Sequence, residues 1–202
     1  MRLSRDRAVE LFRSYLPLLL MGLVVLAARS SLADHYIVPS SSMEPTLVPG
    51  DRVFVDKTAY GVRVPFTGFV LGGDRSALRG EVVIFDSPAD GTRLIKRVVA
   101  VAGDVVDLVD GHLSINGQPL AVDGDGLLEG FGERHARLDL RRGGGPDLTA
   151  TQVPAGHVLV LGDFRGNSKD SRYFGFVAER SLYAQALGIY YRSEDGVVWK
   201  PL

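Results

Sequence analysis

The sequence contains no cysteine, and this absence removes several kinds of site at once. Disulfide bonds, thiolate-bound metal ions and a cysteine nucleophile are all excluded. The absence does not identify the compartment, because an oxidising environment permits disulfides without requiring them. The chain is therefore compatible with either side of a membrane.

The sequence also lacks an excess of charge of one sign. Its 23 basic residues are nearly balanced by 24 acidic ones, giving a formal net charge of −1, whereas a general nucleic-acid binder should carry a basic face. The four histidines, which show no HExxH or similar metal-binding spacing, are His35, His112, His135 and His157. We therefore predict no nucleic-acid partner, no bound metal and no other cofactor.

Three consecutive serines lie in a short connector that precedes a series of strand-like segments. The connector reads Val38-Pro-Ser-Ser-Ser-Met-Glu-Pro-Thr-Leu47. Pro39 fixes its own φ and favours an extended Val38, and Pro45 has the same effect on Glu44. This constraint favours a turn that aims a serine hydroxyl, although a Ser/Pro linker between a membrane anchor and a soluble domain has a similar composition.

An apolar segment precedes the connector. Residues 1–13 include four arginines, and residues 14–33 then supply about the 20 residues that a membrane-spanning helix needs, if Arg29 reaches the interface. The basic flank predicts a cytoplasmic amino terminus and an extracytoplasmic remainder. The alternative is a cleavable signal peptide, because Ser31 and Ala33 place small residues at −3 and −1 of a possible cut. A retained anchor is favoured, since the serine connector follows Ala33 closely.

Short strands separated by glycine-containing turns are predicted along most of the remaining chain. Runs of β-branched and alternating apolar residues indicate them. The predictions are strands at 53–55, 79–85 (entered through a turn), 94–104 (closed by a turn), 105–108, 112–115, 136–140, 158–161, 189–191 and 197–199, extended or loop segments at 56–66 and 69–71, loops at 123–126 and 142–145, and a short helix at 178–186. Asn116-Gly117 is typical of a two-residue hairpin turn.

Lys96 is a candidate general base. Hydrolysis by a serine needs a base for the hydroxyl proton, and no histidine lies in a recognisable motif. Alternation puts Leu94, Lys96 and Val98 on one strand face and Arg97 on the other, so at most one of the two cations reaches open water easily. To act near neutral pH, lysine needs a pKa roughly 3 below its usual value of about 10.4, which burial supplies. The alternative is an edge-strand lysine that limits aggregation.

The segment from Gly162 to Val177 is rich in charged and polar residues. It reads GDFRGNSKDSRYFGFV and follows the predicted buried strand 158–161. Its polar residues are too dense for a core and too regularly interleaved for a disordered tail. From composition alone, it is a surface loop with several salt bridges.

Four segments resemble, in their order along the chain, the motifs of type I (leader) signal peptidases, the Ser/Lys-dyad serine protease family S26. These segments are the serine connector, the strand at 79–85, the lysine strand and the 162–177 segment. The resemblance implies that Ser42, directly before the methionine, is the nucleophile and that Lys96 is its base. It also implies that the Ser40 hydroxyl and the Ser42 backbone N–H form the oxyanion hole, and that Ser168 orients Lys96.

The resemblance also implies roles around this dyad. The supporting residues are Asp163, Asn167, Asp170 and Arg172, with the last two forming a pair. A peptide is expected to add as a strand beside Tyr36–Pro39, and the residues matching the family's substrate-binding positions are Tyr36, Val38, Pro39, Met43, Leu47, Val53, Ile84 and Ile95. Their apolar character implies small residues, such as alanine, at −1 and −3 of the substrate. Two positions depart from the family pattern: Phe164 replaces a usual asparagine, and Gly166 replaces a usual aspartate.

The expected molecule is mostly β: an amino-terminal transmembrane helix followed by an antiparallel β-sheet or barrel-like catalytic domain with a small inserted β lobe. Residues 1–35 would form the cytoplasmic terminus and anchor, residues 36–202 the peptidase domain and residues 105–155 the lobe. The implied function is removal of signal peptides from exported preproteins, at the extracytoplasmic (periplasmic) side of a bacterial inner membrane and in contact with its lipid. The alternatives are a relative that matures one dedicated substrate and an inactive tethered β module that binds extended peptides.

Overall fold

The computed structural model describes residues 13–22, 33–63, 70–72 and 75–202, and these residues are mostly β, as predicted. The helices are α1 over residues 13–22 and α2 at Ser171–Phe174, with 3₁₀ turns at Ser41–Met43, Arg165–Asn167 and Glu179–Ser181. The strands are β1 Ala33–Ile37, β2 Arg52–Asp56, β3 Val62–Arg63, β4 Val70–Leu71, β5 Val82–Asp86, β6 Arg93–Val101, β7 Val105–Val109, β8 His112–Ile115, β9 Gln118–Pro119, β10 Leu128–Phe131, β11 Arg134–Arg137, β12 Leu148–Gln152, β13 His157–Leu161, β14 Val177–Ala178, β15 Leu182–Arg192 and β16 Gly196–Pro201.

The principal sheet has eight antiparallel strands. Their order is β1-β2-β15-β5-β6-β13-β14, with β16 also paired to β15. Strands β5, β6 and β13 are almost entirely buried, which fits their near-continuous runs of valine, leucine and isoleucine. β1 pairs only with β2 among the described residues, so its other edge is open there.

A smaller lobe is formed by strands from within residues 105–155, as the sequence predicts. It contains the four-stranded sheet β12-β7-β8-β9 and the hairpin β10-β11. The turn between β8 and β9 is confirmed at Asn116-Gly117, where both residues have positive φ, 52° and 74°, as a type I′ turn requires. The lobe packs a second apolar cluster that includes Val106, Leu108 and Phe131.

The helix predicted at 178–186 is wrong. A 3₁₀ turn occupies Glu179–Ser181, and β15 begins at Leu182. β15 lies between β2 and β5 in the sheet, so its backbone N–H and C=O groups are satisfied by two neighbouring strands. This tertiary pairing outweighs the weak local preference for a helix.

The segments after β2 match the predictions in part. Residues 57–60 form bends and a turn closed by a hydrogen bond from Gly61 N–H to Thr58 O. The two-residue strands β3 and β4 then pair with each other. Residues 64–69 and 73–74, which include part of the predicted extended pieces, lie outside the described residues.

The predicted membrane anchor at 14–33 is described at residues 14–22 and at Ala33, and Ala33 is the first residue of β1 and not part of a helix. α1 covers residues 13–22 and exposes apolar side chains such as Leu18 and Leu19. Residues 1–12 and 23–32, with most of the basic flank and the rest of the predicted anchor, lie outside the described residues. In the described ranges, no helix is both long and apolar enough to cross a membrane.

Candidate active site

The serine turn is held against the residues that directly precede β2. Val38 N–H donates to Asp51 O, Gly50 N–H donates to Val38 O, and Leu47 N–H donates to Met43 O, each at 2.9 Å. Within this frame the three residues Ser41–Met43 form one 3₁₀ turn. The Met43 and Leu47 side chains are fully buried in the core. The backbone that carries Ser42 is therefore fixed on both sides.

Ser42 and Lys96 meet in a nearly water-free environment. Lys96 Nζ lies 2.6 Å from Ser42 Oγ and 2.9 Å from Ile95 O. The side chain of Lys96 is 2% exposed and Ser42 is 6% exposed. Burial lowers the pKa of Lys96 from its ordinary 10.5 to about 8, and the carboxylates of Asp170 and Asp163 only partly oppose this. A substantial fraction of Lys96 is therefore neutral at mildly alkaline pH.

The structure places Ser40 and Ser168 differently with respect to the Ser42–Lys96 pair. Ser40 Oγ lies 3.3 Å from Ser42 Oγ. Ser168 Oγ is buried and has no hydrogen-bond partner among the described residues, so the hydrogen bond to Lys96 that the sequence leads us to expect is not formed here. A Cβ on Gly162 would lie 2.3 Å from Ser168 Oγ and 2.4 Å from Ser42 O. Gly162 thus lets the 162–168 loop approach the serine turn closely.

The supporting residues form buried ionic and polar contacts. Asp170 and Arg172 pair through two hydrogen bonds of 2.7 Å, and both side chains are fully buried. Asp170 also accepts a hydrogen bond from Gly162 N–H at 3.0 Å. Asn167 Nδ2 donates to Ser41 Oγ at 2.8 Å. The loop carrying Ser168 is therefore tied to the strand before it and to the serine turn.

Arg97 is a functional candidate that no sequence pattern singled out. At most one of the two adjacent cations was expected to reach open water easily, and neither does, because Arg97 is 2% exposed, like Lys96. Its guanidinium donates to Asp163 at 2.9 and 2.7 Å and to Gly80 O at 2.7 Å, and Thr46 Oγ1 donates to the same carboxylate at 2.5 Å. The available signal was the apolar character of both faces of β6, which predicts burial of a charge on either face.

A second buried pair joins the lobe to the 162–168 loop. Arg165 and Glu129 are each 1% exposed and lie 2.5 Å apart. Arg165 also donates to Gly162 O at 3.3 Å and to Gly111 O. Neither residue was predicted to be buried, because the dense polar residues of the 162–177 segment indicate a surface loop. Pairing of the charges is what permits their burial.

Six of the predicted substrate-binding residues lie together in the core. Val38, Met43, Leu47, Val53, Ile84 and Ile95 belong to one apolar cluster and are at most 2% exposed. Tyr36 packs against this cluster and is half-buried, whereas Pro39 is exposed. The six core residues thus underlie the site in this structure, and only Tyr36 and Pro39 present substantial surface.

The open edge of β1 runs toward the serine turn. Val38 directs its N–H and C=O to residues 51 and 50. Because hydrogen-bonding directions alternate along a strand, the main-chain groups of Ile37 face away from β2. Among the residues that the structure describes, no strand pairs with this edge, so its donors and acceptors are open beside Tyr36 and Pro39.

In the described part of the chain, no group of three or more histidine or acidic side chains is arranged to hold a metal ion. Asp123 and Asp125, in the loop at 123–126, accept hydrogen bonds from Leu128 and Leu127 N–H at 3.0 and 2.9 Å. These carboxylates therefore close their own turn.

Comparison with known proteins gives consistent matches. Residues 9–191 match the family described as signal peptidase, peptidase S26. The chain is 33% identical to the signal peptidase I of Pseudomonas fluorescens over 90% of this chain and 72% of that protein. It is 34% identical to the signal peptidase I of Pseudomonas aeruginosa with the same coverage. It is 33% identical to the probable signal peptidase I-1 of a Synechocystis species over 88% of this chain and 82% of that protein.

Proposed function

The chain belongs to the signal peptidase family, peptidase S26, as a serine endopeptidase that removes signal peptides, and we propose that it does so with Ser42 as nucleophile and Lys96 as general base. The observation that supports this assignment best is the 2.6 Å contact between Ser42 Oγ and Lys96 Nζ. It joins a hydroxyl to an amine whose pKa is lowered to about 8 by burial. A substantial fraction of such an amine is neutral at mildly alkaline pH and can then accept a proton.

In the proposed reaction, neutral Lys96 accepts the hydroxyl proton of Ser42 as Ser42 Oγ attacks the scissile carbonyl. The tetrahedral oxyanion is stabilised by the Ser42 backbone N–H and the Ser40 hydroxyl. Protonated Lys96 then gives its proton to the leaving amine, the new amino terminus of the mature protein. Neutral Lys96 then takes a proton from a water molecule as this water attacks the acyl-enzyme. The bond between the acyl carbon and Ser42 Oγ breaks, Lys96 returns the proton to Ser42 Oγ, and the carboxyl end of the signal peptide is released.

We assign the remaining polar residues to positioning. Ser168 lies in the loop that Gly162 brings against the serine turn, and it orients Lys96 when the ammonium forms. Asp163, Asn167, Asp170 and Arg172 fix that loop through the contacts described above. The burial of the Asp170–Arg172 pair supports this role, because a fully buried bidentate pair leaves the loop few alternative conformations.

The substrate is proposed to bind as an additional strand on the open edge of β1, beside Tyr36–Pro39. The free main-chain groups of Ile37 supply hydrogen bonds along this edge. The apolar cluster around Met43 and Ile95 underlies the positions that receive the substrate's −1 and −3 side chains. Because its six members are closely packed, small residues such as alanine are expected at these two positions.

The finer architecture and the location remain part of this proposal. We propose that residues 1–35 provide a cytoplasmic terminus and a single membrane anchor, and that residues 36–202 form a barrel-like extracytoplasmic peptidase domain with a lobe at 105–155, at a bacterial inner membrane. The apolar sequence of residues 14–33 and the exposure of the α1 leucines support an anchor that contacts lipid.

The decisive experiment is cleavage of a purified preprotein by the intact chain in detergent or lipid, with product termini read by mass spectrometry. A cut after a small-x-small triplet is expected, and it should disappear in Ser42→Ala and in Lys96→Ala. Cleavage that persists in either variant would refute the proposed dyad. Failure of the intact chain to cut several different preproteins would favour a dedicated substrate or a binding module.

A further inference from the structure

A polar recess lies directly beside the serine turn and has no role in the mechanism above. Its volume is about 410 Å³, and Ser41, Glu44, Arg141, Arg142 and Phe164 line it. We call these five residues the arginine bay. The bay adjoins the nucleophile, because Phe164 N–H donates to Ser42 O at 3.2 Å.

Backbone hydrogen bonds and an aromatic ring hold the residues of the bay in place. Residues 139–142 run beside the 163–165 segment, with hydrogen bonds from Asp139 N–H to Asp163 O at 2.9 Å and from Arg165 N–H to Asp139 O at 3.1 Å. The guanidinium carbons of Arg141 and Arg142 lie 5.4 and 5.8 Å from the centre of the Phe164 ring. An aromatic ring at that distance stabilises cations, so the two arginines share one platform.

Both departures from the family pattern contribute to the bay. Phe164, in place of the usual asparagine, supplies the aromatic platform. Gly166, in place of the usual aspartate, lets the arginine loop pack closely, since a Cβ there would lie 2.2 Å from Arg142 O and 2.6 Å from Gly143 O. An aspartate could not occupy this position without moving the loop. The two substitutions therefore belong to one local adaptation of this chain.

Arg142 is the cation that remains available in the bay. Arg141 is held by Asp139, at 2.5 Å, and by Glu44, at 3.3 Å. Arg142, by contrast, donates to the neutral side-chain oxygen of Asn167 at 3.0 Å and forms no ion pair with a described carboxylate. From its unpaired positive charge and remaining N–H donors we infer that Arg142 suits a negatively charged ligand.

The position of the bay indicates which part of the substrate it meets. In the proposed binding mode, residues before the cut follow the edge of β1 and end at Ser42. The bay reaches Ser42 from the 139–142 and 162–166 segments instead, at Ser41 and Glu44. If residues before the cut occupy the edge of β1, the bay is the polar recess on which residues after the cut would lie.

We propose that the arginine bay is a specificity site for the mature part of the substrate, in which Arg142 binds an acidic side chain among the first three residues after the cut. This proposal rests on the proposed function. The contact is partly exposed, so it selects among substrates rather than determining whether cleavage occurs. A pair of this kind changes kcat/KM by about three- to five-fold.

The test uses one preprotein with glutamine, glutamate or lysine placed in turn at +1, +2 and +3, cut by the intact chain in neutral detergent at low ionic strength. The intact chain should cut the glutamate form about three- to five-fold faster than the glutamine form at one or more positions. Arg142→Gln should bring this ratio near one, Arg142→Lys should retain part of it, and Arg142→Glu should favour lysine. The glutamate-to-glutamine rate ratio is measured with each enzyme variant separately, so a general loss of activity in a variant does not change the comparison.

Two controls make the result specific. Arg137→Gln changes an exposed arginine of the lobe that pairs with Asp125, and it should keep the wild-type ratio. Glutamate placed far into the mature part should have no effect. Equal rates for glutamate and glutamine at all three positions, or an unchanged ratio in Arg142→Gln, would overturn the proposal. The glutamine substrates test the proposed nucleophile separately from the bay, because they carry no acidic side chain for Arg142. The intact chain should cut them, and Ser42→Ala should not.

Discussion

At the residue scale, Lys96 combines a function with a cost. Burial favours the neutral amine and lowers the pKa to about 8, and the same burial disfavours folding while the ammonium is present. We expect kcat/KM to rise from pH 7 to pH 9 with an apparent pKa near 8, because only neutral Lys96 accepts the serine proton. A pH–rate profile with a nonionisable detergent and a fixed preprotein measures it. A profile that rises with a pKa near 6.5 would indicate a histidine base instead.

The lowered pKa of Lys96 also makes the free energy of unfolding depend on pH. The folded chain holds Lys96 with a pKa of about 8 and the unfolded chain with its ordinary 10.5, so the unfolded state binds more protons between these values. Stability contributed by this group therefore rises with pH across that window, and the full cost applies below about pH 8. The difference corresponds to about 3 kcal/mol.

Lys96→Met should accordingly be inactive but more stable than the intact enzyme at pH 7. We expect a gain of about 1–3 kcal/mol in the free energy of unfolding, since loss of the contacts with Ser42 and Ile95 O offsets part of the relief. Thermal or urea unfolding in detergent at pH 7 and pH 10 measures this gain, which should shrink at the higher pH. A variant less stable than the parent at both pH values would contradict the account.

Ser40 has a different kind of role in the proposal. Its hydroxyl lies 3.3 Å from Ser42 Oγ, and we propose that it acts on the oxyanion alone. Ser40→Ala should lower kcat by about 10²- to 10³-fold with an unchanged unfolding temperature, because removal of one oxyanion donor typically has this effect. Ser40→Thr keeps a hydroxyl and is the matched control. Normal turnover by the alanine variant would refute the assignment of Ser40 to the oxyanion hole.

At the element scale, the site depends on the close approach of the 162–168 loop to the serine turn. Gly162→Ala would place a Cβ 2.4 Å from Ser42 O, so either the turn or the loop must move. We expect kcat/KM to fall about 10²-fold, since a shift of about 1 Å at a nucleophile has an effect of that size. Gly124→Ala, at a glycine with no heavy atom within 4 Å, is the control. Unaltered kinetics in the Gly162 variant would show that the turn tolerates the shift.

The elements also show how far sequence reasoning extends. The catalytic roles of Ser42 and Lys96 stay predictions, but their contact was predictable because each residue lies in a short motif, one on a proline-bounded turn and the other on a strand. The burial of Arg97 was not predictable, because alternation gives the face of a side chain but not what covers that face. The Arg165–Glu129 pair joins residues 36 positions apart, across the boundary of the lobe, and no local pattern encodes such a contact. The helix predicted at 178–186 failed for a related reason, since β15 takes its conformation from two neighbouring strands.

At the scale of the whole molecule, one sheet surface bears several exposed apolar side chains near the start of the catalytic domain. The exposed side chains are Ile37 on β1, Phe54 on β2, and Val197 and Trp199 on β16. Trp199 lies against Gly188, which is paired with Phe54 in the sheet, so the two aromatic side chains are neighbours on one face. β1 begins at Ala33, at the carboxyl end of the proposed anchor segment, so we expect this face to lie close to lipid.

The single tryptophan of the chain, Trp199, reports on that arrangement. In liposomes containing the intact protein, brominated lipids should quench its emission, most strongly when bromine lies near the headgroup end of the acyl chain, since tryptophan prefers the membrane interface. Trp199→Phe removes the signal, and Val109→Trp in that background places a reporter on the lobe, where Val109 is equally exposed. Quenching at 199 without quenching at 109 would orient the domain with its β1–β16 face toward the bilayer. Equal quenching at both positions, or none at either, would contradict this orientation.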